Sequence, residues 1–271
     1  MTDRCTWLVQ SAPHVWREPR QKVLSCAVIC SRALAVAVVL AVPAIAHAQD
    51  AFEVQVYDAG TAARGEAGIE LHLNQHAIDG ADDETHLTFE PHYGLTDWAE
   101  LGGYFQTAAT TTGDLAYAGV KLRLKLRRPQ RAWNDRIGLA INGELSAVPS
   151  RFEPEVWGGE IRPIVDLTAG ALYASINPIL AFALRGEVAG HPQLEPAAKL
   201  TFKVTDAMAI GAEAYGAFGP IDDLGSERAS RVFGVLDVSG AWWDLNLGAG
   251  YGWGSTDHVV AKLILGLHPR A

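Results

Sequence analysis

Between residues 115 and 127 a base recurs at every second position: Lys121, Arg123, Lys125 and Arg127 alternate with Val120, Leu122, Leu124 and Leu126. A row of cations at that spacing can hold acidic side chains in a line, or it can sort ions by sign along a water-filled path. Acids that could face such a row are Glu70, Glu90, Glu100, Glu144, Glu160, Glu195, Glu213 and Asp244, with further bases at Arg162 and Lys199. A second group comprises His72, His86, Glu90 and His92. Residues four apart on a strand are separated by about 13 Å at about 3.3 Å each. His86 and Glu90 therefore cannot share a metal, whereas His72 can meet one of them across a hairpin. Polar packing is the expectation for this group. The acids Asp79, Asp82, Asp83 and Glu84 lack calcium-loop spacing, and a solvated loop is expected there. Acyl-transfer chemistry needs a nucleophile beside a base. The chain has no Gly-x-Ser-x-Gly elbow, and Ser146, Ser175 and Ser239 have no histidine one or two positions away. No catalytic residue, cofactor or metal ligand is assigned, and the chain is not expected to be an enzyme.

The elements that would position these groups are extended. Side chains two apart share one face of a strand, and this period runs through twelve stretches: 65–74, 85–93, 99–108, 115–127, 136–147, 156–168, 171–184, 194–204, 208–218, 230–240, 243–252 and 258–268. In 115–127 one face is expected to hold Ala118, Val120, Leu122, Leu124 and Leu126, and the other Gly119 and the bases. Elsewhere Ile69, Leu71 and Leu73 oppose Glu70, His72 and Asn74, and Ile161, Val165 and Leu167 oppose Glu160, Arg162 and Asp166. The connections alternate between long and short, with 128–135 the one longer turn among the short ones. An even number of antiparallel strands with this rhythm, apolar residues on one face and ions on the other, predicts an all-β, up-and-down transmembrane β-barrel of about twelve strands. Its apolar face meets lipid and its ions line the lumen. A one-residue slip would put Arg or Lys into hydrocarbon at about 2–4 kcal/mol each. Pro91, Pro163, Pro178 and Pro196 fall inside strands, where they cannot donate to the ladder, so bulges or shortened pairing are expected. Tyr93, Trp98, Trp157, Trp242, Trp243, Tyr251 and Trp253 near strand ends fit aromatic girdles.

Residues 1–48 read as a signal peptide. Arg17, Arg20, Lys22 and Arg32 supply positive charge before the apolar run 33–45, which is too short to span a bilayer, and Ala46-His47-Ala48 offers a small-x-small cleavage site. Residues 49–64 are expected as a periplasmic lead-in, in which 51–58 (AFEVQVYD) also alternates, and 65–271 as the barrel. Cys5, Cys26 and Cys30 all precede the cut, so the processed chain needs no disulfide. Cleavage would remove five of 22 basic and two of 31 acidic residues, leaving a formal charge of −12. That balance argues against a nucleic-acid partner.

Four stretches carry a resemblance: 85–107 (THLTFEPHYGLTDWAELGGYFQT), 117–126 (YAGVKLRLKL), 157–165 (WGGEIRPIV) and 176–184 (INPILAFAL). They resemble an uncharacterised group of bacterial outer-membrane β-barrels related to the transporters named after the meta-cleavage pathway of phenol degradation. The resemblance implies a barrel passing small hydrophobic or aromatic compounds and brings no catalytic residues. Where strands of such proteins commonly close on an aromatic residue, this sequence ends Leu265-Gly266-Leu267-His268-Pro269-Arg270-Ala271.

The expectation is thus an outer-membrane channel for small solutes, with Glu70, His72, Glu90, Lys121, Arg123, Lys125, Glu144, Glu160, Arg162 and Lys199 lining the pore. An outer loop could fold inward as a constriction. The expected partners are outer-membrane lipid and lipopolysaccharide, the barrel-assembly machinery, and a small solute. Two other readings stand beside it: a non-conducting structural or adhesion barrel with a salt-bridged lumen, and a lipid-modifying enzyme of the same membrane.

Overall fold

A computed structural model of the chain describes residues 50–268, apart from 79–82, 111–112, 154, 187, 227 and 255–256. The expected signal peptide, 1–48, and the loop acids Asp79 and Asp82 lie outside the described residues. The strands are β1 (Ala67–Ile78), β2 (Glu84–Thr96), β3 (Ala99–Thr110), β4 (Leu115–Arg127), β5 (Ile137–Ala147), β6 (Trp157–Ala169), β7 (Leu172–Asn177), β8 (Leu180–Ala183), β9 (Gln193–Leu194), β10 (Ala197–Lys203), β11 (Met208–Ala217), β12 (Ala229–Ser239), β13 (Trp243–Trp253) and β14 (Asp257–Leu267). Pro178 separates β7 from β8 and Pro196 separates β9 from β10, so each pair is one strand of the barrel broken where the ladder loses its donor. Twelve staves result.

Each stave pairs antiparallel with its sequence neighbours, and β1 pairs with β14 from Ile69↔Leu267 to Ile78↔Asp257. The sheet closes on itself and leaves no edge, which is what extended chain requires in hydrocarbon. Sequence alternation sets the faces. Leu73, Leu87, Phe105, Leu122, Leu145, Ile176, Leu200 and Phe202 are all exposed, while His72, Glu90, Arg123, Glu144, Arg162 and Glu213 are buried inside the ring. The exposed apolar residues therefore form the lipid-facing band. Trp98, Trp133 and Trp242 lie exposed at the end with the short turns, and Tyr117, Trp157, Tyr251 and Trp253 at the opposite end, as two girdles. By the general rule for such barrels the short turns are periplasmic.

One face assignment needs correction. Gln106 pairs with Gly119 but Thr107 with Tyr117, so Ala118 is an extra residue in β4 and turns inward, fully buried. Gly119 has φ 129°, and a Cβ there would come within 2.9 Å of the Ala147 carbonyl oxygen. A glycine bulge thus reverses the alternation, and Leu115 and Tyr117 become the lipid-facing residues above it.

Candidate functional site in the barrel lumen

The segment expected outside the barrel as a lead-in lies inside it. Residues 50–63 thread the lumen from the end of the long loops to the end of the short turns. Their peptide groups are satisfied by wall side chains instead of a strand ladder. Asn74, His76 and His86 donate to the Ala51 carbonyl (3.1–3.2 Å), and Lys262 Nζ donates to that of Val54 (2.9 Å). Ser175 Oγ and Asn177 Nδ2 donate to the Tyr57 carbonyl (2.6 and 3.1 Å), while Tyr57 N–H donates to Asn177 Oδ1 (2.7 Å). The Ala59 and Ala62 N–H groups donate to Asp166 (2.8 Å) and Glu100 (2.6 Å). The chain then turns into β1 against Gly94, where a Cβ would fall 2.0 Å from the Ala63 carbonyl oxygen, so only glycine fits.

Side chains of the segment divide between two walls. Toward β1–β6, Glu53 meets Arg162 (2.9 Å) and Lys121 (3.2 Å), and Lys121 also meets Asp50 and Glu144. Gln55 Nε2 donates to Glu70 (3.0 Å). The Tyr57 hydroxyl shares a hydrogen bond with that of Tyr104, and the Tyr57 ring lies under Arg162 (4.2 Å), Lys125 (5.1 Å) and Arg123 (5.6 Å). Cations over an aromatic face are held by the ring quadrupole as well as by acids. Toward the other wall, Val54 and Val56 pack with Ile179, Ala197, Tyr215, Phe233, Val235 and Val260. Phe52 stacks on His86 (4.3 Å) and meets Phe152 edge-on (5.4 Å), so the β5–β6 loop folds in over the segment. Burial, joined by the charge of Asp50 and opposed by Lys121, pushes the carboxyl of Glu153 in that loop up to about 7.

All ten expected lining residues point into the lumen, where each meets a partner. Arg123 bridges Glu90 (2.8 Å) and Glu100 (2.7 Å). Arg162 joins Glu160 (2.6 Å) to Glu53. Lys125 reaches Asp58 (3.4 Å), Lys199 reaches Asp237 (2.8 Å) and Glu213 (3.3 Å), and Glu144 accepts from Asn142 (2.8 Å). His72 lies between Glu90 (3.2 Å) and Glu70 (3.5 Å). The residues that sequence reasoning missed are those of the thread, Glu53, Gln55 and Tyr57, together with Tyr104. The alternation of AFEVQVYD was the available signal, since an amphipathic strand needs two unlike surfaces. Beyond the thread, a cavity of about 810 Å³ opens at the short-turn end, bounded by Asp58, Glu70, Glu100, Lys125, Tyr173 and Asn246 among others.

No family model matches the sequence, and no curated protein is similar to it. Among solved structures the KdgM porin superposes with a TM-score of 0.50 at 9% identity, covering 74% of this chain and 99% of that one. The CymD monoaromatic hydrocarbon channel gives 0.48 at 7% identity (78% and 90% covered), and LpxR from Salmonella typhimurium 0.42 at 8% (74% and 99%). At such identities the likeness is one of fold. Taken with the closed antiparallel ring and its lipid-facing apolar band, it makes the chain an outer-membrane β-barrel protein of twelve strands.

Proposed function

We propose that this barrel is a channel closed by its own N-terminal segment, which passes small solutes when residues 50–63 leave the lumen. The observation that carries the reading is how the segment is held. Its backbone bonds go to wall side chains and its charges to Lys121 and Arg162, so withdrawal breaks no strand pairing and leaves the ring intact. Withdrawal would uncover an apolar strip (Ile179, Tyr215, Phe233, Val260) facing a strip of ions. That lining suits small molecules with one apolar and one polar side, such as aromatic compounds with a hydroxyl or carboxylate, in keeping with the resemblance to the phenol meta-cleavage transporters. Planar-bilayer conductance tests it. Protein lacking residues 50–63 should conduct steadily, and the native protein should open rarely. If both are silent, the channel reading fails, and the salt-bridged lumen is that of a non-conducting structural barrel.

A further inference from the structure

We propose that Glu70, His72 and Glu90 bind a divalent transition-metal ion of the zinc type, that the amide of Gln55 completes the site, and that the ion fastens the N-terminal segment to the wall. Glu70 and Glu90 are direct partners across the β1–β2 ladder, and His72 stands one inward position along β1. One ligand atom from each falls within 4.8 Å of the others. His72 Nε2 is 3.2 Å from Glu90 Oε2 and 3.5 Å from Glu70 Oε2. A tetrahedral ion with bonds of about 2.0–2.1 Å to nitrogen and oxygen separates its ligands by about 3.3–3.4 Å, so these spacings need little adjustment.

The surroundings of the three side chains suit a bound ion. His72 and Glu90 are each 1% exposed. Glu90 turns its other oxygen to Arg123 at 2.8 Å, as an oriented ligand carboxylate does. Arg123 meets Glu90 and Glu100, and Glu70 stands opposite Glu90 across the ladder, so three carboxylates converge on this part of the wall. Glu70 lines the open cavity and gives the ion a path from the short-turn end. The second observation lies on the thread: Gln55 donates Nε2 to Glu70 at 3.0 Å while its buried Oε1 has no partner. The two ends of a side-chain amide have nearly the same shape, and the hydrogen bonds around it decide which way it points. Turning it presents Oε1 beside Glu70 as the fourth ligand, and the thread then shares a metal with the wall.

The experiment strips the folded protein in detergent with a chelator and titrates zinc against a chromophoric competitor. About one ion per chain is expected, with affinity falling on the order of ten-fold or more in His72→Gln and in Glu90→Gln. Heat-modifiable gel mobility reports that each variant is folded, and either variant suffices. Zinc should also slow proteolysis of residues 50–63, and Gln55→Ala should abolish that protection while the barrel stays folded. Equal zinc binding by native protein and both folded variants, or none by the native protein, overturns the site. Binding without protection of residues 50–63 overturns the fastening. The titration does not depend on conductance, so failure of the channel reading and failure of this one are separate results.

Discussion

The two walls of the lumen hold the same strand by opposite means. On the β1–β6 side, Glu53, Gln55 and Tyr57 meet ions, an acid and a hydroxyl, with nearly every partner buried. On the far side Val54 and Val56 lie on apolar side chains, and Ser175, Asn177 and Lys262 reach across to carbonyls of the segment. Ion pairs in a dry place gain little net free energy on forming but cost much to break singly. Apolar contact is non-directional and scales with area. One wall thus sets the register and depth of the segment, and the other supplies adhesion that tolerates sliding. The pair behaves as a key seated against a smooth backing.

Glu53→Lys attacks the first wall most directly, since it would place a third cation beside Lys121 and Arg162. Loss of about 3–5 kcal/mol is expected for a broken buried pair, enough to expel the segment. Proteinase K followed by mass spectrometry should then cut within residues 50–63, with the barrel intact; a protected segment would show that charge does not set its seat. Phe233→Ala tests the backing wall. Its ring fills the space over Gly248 and Gly250 and under the valines, and truncation should cost about 3 kcal/mol. Hydrogen exchange at residues 53–57 should rise by about a hundred-fold, through sub-global opening of the segment alone. Exchange that rises equally in the strands would make Phe233 a support of the barrel instead.

The smallest effect concerns the loop over Phe52. Its Glu153 carboxyl is raised from 4.5 to about 7, so the folded loop prefers the protonated form. That contribution is complete below pH about 4.5 and is lost as pH rises through about 7. Exchange in residues 148–153, corrected for intrinsic rates, should therefore increase across this window, and Glu153→Gln should flatten the change. An unaltered slope in that variant would place the titrating group elsewhere.

Strand positions were legible because lipid punishes any slip, and the apolar and charged residues had to alternate for the whole width of the membrane. The breaks at Pro178 and Pro196 were legible from chemistry alone. The reversal at Gly119 was not, since one unpaired residue in a ladder leaves composition and period almost unchanged; the shifted pairing of β3 with β4 and the clash of a Cβ with Ala147 identify it. The threading of residues 50–63 was hidden for a different reason. Its partners lie far along the chain, Asn177 at a separation of 120 and Lys262 at 208, and eight alternating residues do not say which surfaces they will meet. Glu70 was placed on the inner face but not beside Glu90, because that adjacency depends on the register of β1 against β2.

The turn that packs against Gly94 joins the segment to the ring by peptide bonds. Fourteen residues on a leash reach about 46 Å when extended, so a freed end stays within that distance of its anchor. Its local concentration there is on the order of millimolar. Reclosure is then a first-order event, indifferent to how dilute the protein is. On the proposed channel reading, a permeant molecule that binds more weakly than millimolar would lose the contest for the lumen unless something outside holds the leash away.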